Sequence, residues 1–305
     1  MFISFLMPTP VRLFIKFLQT LMAVLIIAYA GACLYLWLRQ TRFIFFPSAV
    51  IEKTPAALQM AYEDVWLPVK SGAGTVERIH GWWIPAAGDA AGVVLYLHGN
   101  GINVGANVNH ANRFHQMGFS VLLIDYRGYG LSKGSFPTEA QIYQDVETAW
   151  DYLITERRVN PQEIFLYGHS LGGAIGIELA TRHPDVGALI VEGSFTSMRA
   201  MVDYRYGVFR VFPVDLLLHQ QFNSIAKVGK LQMPVLFIHG TGDDVTPYSM
   251  SQQLFAAANE PKQLFLVPGA DHNNVATISG DPYIKTVRRF IEQAKARQKQ
   301  EPVKP

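Results

Sequence analysis

The sequence contains one cysteine, Cys33, so no internal disulfide can form and no cysteine-rich metal site can be assembled. It also lacks an H-E-x-x-H motif, which sets aside the helix-borne zinc hydrolases, and neither a metal nor any other cofactor is expected. Charge is scarce. Asp, Glu, Lys and Arg make up 16 % of 305 residues, and the net charge is +2 with no long basic run, so nucleic acid is not an expected partner. Internal repeats are absent. Compositional bias is confined to the charged end QAKARQKQEPVKP, of which residues 298–305 are expected to be a disordered tail.

Apolar residues, by contrast, are abundant at 50 %, enough to fill one large core. The length fits one catalytic domain of roughly 250 residues with something added. The addition is N-terminal. Residues 21–38, LMAVLIIAYAGACLYLWL, carry no charge, and FIKFLQT upstream lengthens the run. A bilayer core of about 30 Å needs about 20 apolar residues in helix, so a span over about residues 17–38 is expected. Tyr35 and Trp37 near its end suit a membrane interface. The run continues past YAGA into LYLWL, which favours an uncleaved single-pass anchor over a removed signal peptide. The segment AGAC also lacks the large aliphatic residue that a lipoprotein signal places three before its cysteine. Arg12 and Lys16 precede the span while Arg39 and Arg42 follow it, so the positive-inside rule selects no side. The expected organisation is an anchor segment over 1–42, a catalytic domain over 43–297 and the tail. Catalytic residues all lie downstream, so a chain starting near Ala49 is expected to be soluble and active.

From about residue 60, apolar strands alternate with helices. AYEDVWLPVKSGAGTVERIHGWWIPAA reads as an antiparallel hairpin turned at Ser71–Gly74. GVVLYLHGNG, GFSVLLIDYRGYG, EIFLYG, GALIVEGSF, PVLFIHGTGDD and QLFLVPGADH each read as a buried strand leading into a polar loop. TEAQIYQDVETAWDYLITERR has helical spacing. This alternation predicts a mostly parallel sheet with helices on both faces and ligands at the carboxyl ends of the strands. Residues from about 195 to 233 show no strand pattern and are expected to form a short helical lid.

One stretch, IFLYGHSLGGA, joins a strand directly to a serine fenced by Gly168, Gly172 and Gly173. A serine nucleophile must be presented on a sharp strand-to-helix turn where neighbouring backbones crowd, and small residues two before and two after it permit that. The helix that follows would aim its free N–H groups at the charge developing on the substrate. On this reading Ser170 is the nucleophile, and the chain order Ser, then Asp or Glu, then His applies. Of nine histidines, His272 satisfies that order, with Asp243 in the preceding strand-end loop. Imidazole suits a general base because its pKa lies near neutrality. His169, beside the serine, is expected to point away, and His239 has no suitable acid before it. The backbone N–H groups of Leu171 and of Asn100, in HGNG, are the expected oxyanion donors. Asp125 precedes the serine and is expected to be structural.

LHGNGINV, DYRGYGLSKG, YGHSLGG, HGTGDDVTP and GADHNN together resemble the α/β-hydrolase superfamily, over roughly residues 40–295. FIFFPS and HGWWIP are similar, more narrowly, to its membrane-anchored serine hydrolases with a small lid. The resemblance implies Ser170, Asp243 and His272 as triad, and a small-molecule or lipid acyl ester or thioester as substrate. The doubled acid Asp243-Asp244 departs from the usual pattern, and the resemblance aligns the first of the pair with the orienting carboxylate. Two other readings accompany this one: a serine peptidase-like hydrolase, and a non-catalytic binding protein on the same fold.

Overall fold

The computed structural model describes residues 8–70 and 74–300. Its first element is helix α1, Thr9–Ile44. Eight strands follow: β1 Glu63–Lys70, β2 Val76–Ile84, β3 Val93–Leu97, β4 Ser120–Ile124, β5 Ile164–His169, β6 Ala188–Glu192, β7 Val235–Gly240 and β8 Lys262–Val267. They form one sheet in the order β1-β2-β4-β3-β5-β6-β7-β8. Strand β2 pairs antiparallel with both neighbours, and every pairing from β4 to β8 is parallel. The hairpin β1–β2 forms as expected, although residues 71–73 of its turn lie outside the described residues.

Each central strand feeds both faces of the sheet, because successive side chains alternate. Val93, Leu95 and Leu97 of β3 pack into one apolar core while Val94 and Tyr96 pack into the other. The first core is covered by α3 (Glu139–Thr155), α4 (Leu171–Arg182) and α8 (Tyr248–Ala257). The second is covered by α2 (Val108–Gln116), α9 (Val275–Ser279) and α10 (Asp281–Gln300). Helix α3 begins where Thr138 Oγ1 accepts from the Gln141 N–H at 3.3 Å, an N-cap that fixes its start. The lid contributes α5 (Met198–Arg205), α6 (Val214–Leu217) and α7 (Ile225–Val228).

From β3 the chain moves to β4 on one side and then returns to β5 on the other. Such a reversal opens a crevice at the carboxyl ends of the strands. Asn100 follows β3 and Ser170 follows β5, so both stand at that crevice.

Two expected boundaries need correction. Residues 298–300 are helical, not tail, and Gln298 Nε2 donates to the carbonyls of Gln162 and Gly187 at 3.2 and 3.3 Å. Residues 301–305 lie outside the described residues. At the other end, no break separates the expected anchor segment from the domain at residue 42. Helix α1 runs on to Ile44, and Gln40 and Ile44 are already buried against the domain.

Candidate active site

Strand β5 ends at His169, and Ser170 takes φ 54° and ψ −117° before α4 begins. A serine rarely holds positive φ, so this residue is strained and persists because its surroundings over-determine it. The surroundings are glycines. A Cβ on Gly168 would run into the Gly172 backbone, one on Gly172 into the Leu97 carbonyl, and one on Gly173 would sit 2.6 Å from Ser194 Cβ. The glycine spacing is therefore a packing requirement of the turn. The Ser170 N–H donates to the Glu192 carbonyl at 2.8 Å, locking the turn onto β6.

A cavity of about 340 Å³ opens over Ser170, and His272, Asn100 and Leu171 also line it. Leu171 is the first residue of α4, so its N–H has no intrahelical acceptor and remains free. The Asn100 side chain is bonded through both its polar atoms. Its Nδ2 donates to the Ile44 carbonyl at 2.5 Å, while its Oδ1 accepts from the Phe46 N–H at 3.0 Å and the Tyr129 hydroxyl at 2.7 Å. These bonds fix the loop that carries the Asn100 backbone. Below it, the Asp125 carboxylate accepts from the Val104 N–H at 2.9 Å and lies 3.3 Å from His98 Nε2. Asp125 thus braces the loop from the buried side.

His272 Nδ1 lies 2.7 Å from Asp243 Oδ2. The carboxylate also accepts from the N–H groups of Val245 and Thr246, both at 2.8 Å, through Oδ1. Burial acts to raise the Asp243 pKa. Hydrogen bonds from His239, His272 and the Thr246 backbone outweigh it and hold the carboxyl well below the usual range. Asp244 is exposed, and its described bond is a backbone one, its carbonyl accepting from Arg205. The structure therefore brings Ser170, His272, Leu171 and Asn100 to one cavity, sets Asp243 against His272, and leaves Asp244 outside.

His169 is fully buried, and its Nε2–H donates to the His272 carbonyl at 2.9 Å. Burial first, then the nearby His272 and His110 rings, push its pKa down to about 3, so it stays neutral. It supports the backbone of His272.

Sequence reasoning missed two groups. His239 was set aside for want of a preceding acid, yet its Nε2 reaches Asp243 Oδ2 at 3.0 Å from four residues before it. The signal was available, since i and i+4 around a strand end can meet across a tight turn. Phe43, Ile44 and Phe46 also line the cavity, although the sequence placed FIFFPS in the catalytic domain without assigning it to the site. Hence a chain starting at Ala49 would lack part of the site wall.

Among the described residues, no cluster of three or more His, Cys, Asp or Glu is arranged to hold a metal ion.

Residues 88–224 match the family model described as serine aminopeptidase, S33. An uncharacterized protein of Mycobacterium tuberculosis is 33 % identical over 272 residues, covering 89 % of this chain and 94 % of that protein. An α/β hydrolase domain-containing protein of Arabidopsis thaliana, WAV2, is 29 % identical over 256 residues, covering 79 % of this chain and 82 % of that one. Among solved structures, the esterase Pf2001 of Pyrococcus furiosus superposes with a TM-score of 0.67 at 18 % identity, over 81 % of this chain and 98 % of its own. With the sheet order and the strand-turn-helix at Ser170 already in place, these likenesses make the chain a member of the α/β-hydrolase superfamily.

Proposed function

We propose that the protein is a membrane-anchored serine hydrolase that cleaves carboxyl esters or thioesters through an acyl-enzyme. The observation that carries this reading is the strained Ser170 at a cavity shared with His272, whose Nδ1 is held by Asp243. In the first step Ser170 Oγ attacks the acyl carbon while its proton passes to His272 Nε2. The Leu171 and Asn100 N–H groups stabilise the negative oxygen of the tetrahedral intermediate. On collapse, the leaving alkoxide or thiolate takes the proton from His272, and the acyl group stays on Ser170. Water repeats the sequence in reverse roles, releasing the acid and restoring the serine. Asp243 keeps the imidazole in the Nδ1–H tautomer and stabilises the imidazolium without itself taking the proton.

A serine peptidase-like reaction is the second reading, and the aminopeptidase family match favours it. An aminopeptidase must receive a free ammonium. Among the described residues lining the cavity, the formal charge is that of Arg205, a cation, which opposes such a substrate.

Helix α1 is long and apolar enough to cross a membrane, and its most apolar window is not buried against the rest of the protein. Bulky side chains such as Val24, Leu25, Ile26 and Ile27 stand exposed along it. Exposure of this kind suits lipid and not water.

Labelling with a fluorophosphonate, followed by a panel of esters and thioesters, tests the hydrolase reading. Wild type should label and turn over, whereas Ser170→Ala should do neither while keeping its circular-dichroism spectrum. Undiminished turnover by Ser170→Ala would overturn it.

A further inference from the structure

A second cavity, about 390 Å³, lies between the C-terminal end of α1 and the lid. Its size falls within the range of small-molecule sites. Leu36 and Phe43 of α1 face Val202, Phe209, Phe212 and Leu218 of the lid across it. It shares Phe43, Ile44, Phe46, Met198 and Tyr206 with the cavity over Ser170, so the two adjoin along those side chains.

The pairing of α1 with the lid is built in. Gln40 is buried, and its Nε2 donates to the carbonyls of Trp37 and Leu217 at 3.1 and 2.9 Å and lies 2.6 Å from His219 Nδ1. Its Oε1 accepts from the N–H groups of His219 and Gln220, both at 3.0 Å. Farther along, Tyr29 donates to the Val211 carbonyl at 2.9 Å and stacks on Phe212 with ring centroids 5.5 Å apart. Positions 29, 36, 40, 43 and 44 form one stripe of the helix. Tyr29 lies about 15 Å along the helix from Arg39, inside the uncharged run, so the lid reaches beside the apolar span. The lid's exposed residues match that placement: Val211 and Leu216 are 67 and 82 % exposed. Exposed aliphatics beside an apolar helix suit the acyl boundary of a bilayer.

From this geometry we infer that α1 is part of the substrate site as well as an anchor: the cavity between it and the lid takes the acyl chain of a bilayer lipid. The inference rests on the hydrolase reading above, since it places the ester or thioester carbonyl of that chain at Ser170. The cavity offers a peptide or a polar metabolite little. Apart from the Tyr206 phenol, the polar side chain lining it is Gln40, whose amide is already committed to Trp37, Leu217, His219 and Gln220. An aliphatic chain needs no partner, and it can pass from the bilayer between the lid and α1 without crossing water.

The full chain in phosphatidylcholine vesicles is assayed with p-nitrophenyl esters from acetyl to dodecanoyl. Burial of each methylene in an apolar site favours binding by up to about fourfold. Wild type should therefore prefer dodecanoyl to acetyl ester by at least about tenfold in kcat/KM. Val202→Trp and, independently, Leu36→Trp fill the cavity and should bring that ratio close to one. A flat wild-type profile, or an unchanged ratio in both variants, overturns the inference. If no ester is turned over and no fluorophosphonate reacts, the hydrolase reading fails instead, and the cavity is read by crosslinking of a diazirine-bearing palmitic acid to the same vesicle-bound chain. Adducts on the peptides carrying Leu36, Val202 or Phe209 uphold the acyl site even then, and adducts confined to other peptides overturn it.

Discussion

His239 and His272 approach the same oxygen of one carboxylate, Asp243 Oδ2, at 3.0 and 2.7 Å. The His239 Nε2 atom is also 2.9 Å from the Thr246 carbonyl, which can only accept, so Nε2 carries a proton. Its Nδ1 lies 2.6 Å from Ser251 Oγ, which fixes the other edge of the ring. His239 is therefore a fixed donor to Asp243 from inside the core, and it holds the carboxylate in place for His272.

Removing that donor should weaken the reaction without touching the substrate. A hydrogen bond to a charged group is worth about 1.5–3 kcal/mol, so His239→Leu should lower kcat/KM roughly tenfold to a hundredfold. It should also let the Asp243 pKa rise, since the His239 bond is among the forces depressing it. The loss of activity on acidification should then begin at a higher pH than in wild type. His239→Gln keeps a side-chain donor and should recover part of both effects. A purely structural role would lower the folded fraction and leave the pH profile of the folded enzyme in place.

Asp243 and Asp244 separate cleanly by environment. An amide at 243 would present N–H to two imidazoles that already donate, forcing the wrong tautomer on His272. Such a change in a serine triad costs about 10⁴ in kcat. Asp243→Asn should lose on the order of thousands-fold, and Asp244→Asn less than about tenfold because its side chain is exposed. Ester kinetics on the two variants decide the assignment, and a crippled Asp244→Asn would reverse it.

The depressed carboxyl also makes a statement about stability. A group whose pKa is lower in the folded state contributes stability above its unfolded value, about 3.9 for Asp, and that contribution disappears as pH falls through the folded value. Wild type should therefore melt above Asp243→Asn at neutral pH, and the gap should narrow below about pH 4. Thermal melts of both proteins in the same detergent, from pH 7 downward, measure it. A gap that is constant with pH would mean the contribution is not electrostatic.

How much of this was legible depended on how local the signal is. The strands around β5 read correctly because buried parallel strands are continuous apolar runs, and the glycines flanking Ser170 read correctly because turn crowding acts within five residues. The lid was visible as a gap in the strand pattern. What could not be read was contact between distant segments. Gln40 meets Gln220 across 180 positions, and nothing in the composition of either stretch signals a buried amide clasp. FIFFPS, residues 43–48, has no helical or strand period to mark it as a wall of the site. Helix α10 was cut short for the opposite reason: its charged end looks like a tail, yet it lies on the domain surface with Gln298 anchored.

That unseen wall leads to a prediction about truncation. Removal of residues 1–48 deletes the Ile44 carbonyl and the Phe46 N–H, both bonded to the Asn100 side chain. It also deletes the Ser48 carbonyl, which accepts from Asn103 Nδ2 at 3.0 Å and the Gly130 N–H at 2.8 Å. The loop that carries the Asn100 N–H would then lose three restraints together, and the core residue Phe45 would be gone. Loss of a single oxyanion donor costs about 10²–10³ in kcat. A chain beginning at residue 49 should accordingly fall by at least that much, if it stays soluble. One beginning at Arg39 keeps the FIFFPS wall, the Gln40 bonds to Leu217, His219 and Gln220 and every bond to Asn100, while shedding the apolar run. It should stay folded and retain hydrolysis of a short acetyl ester within about tenfold of the full chain, because the reacting groups and their braces are intact. Parallel purification and acetyl-ester kinetics of the two truncations settle the point. Equal activity of both would mean that residues 39–48 cover the site without shaping it.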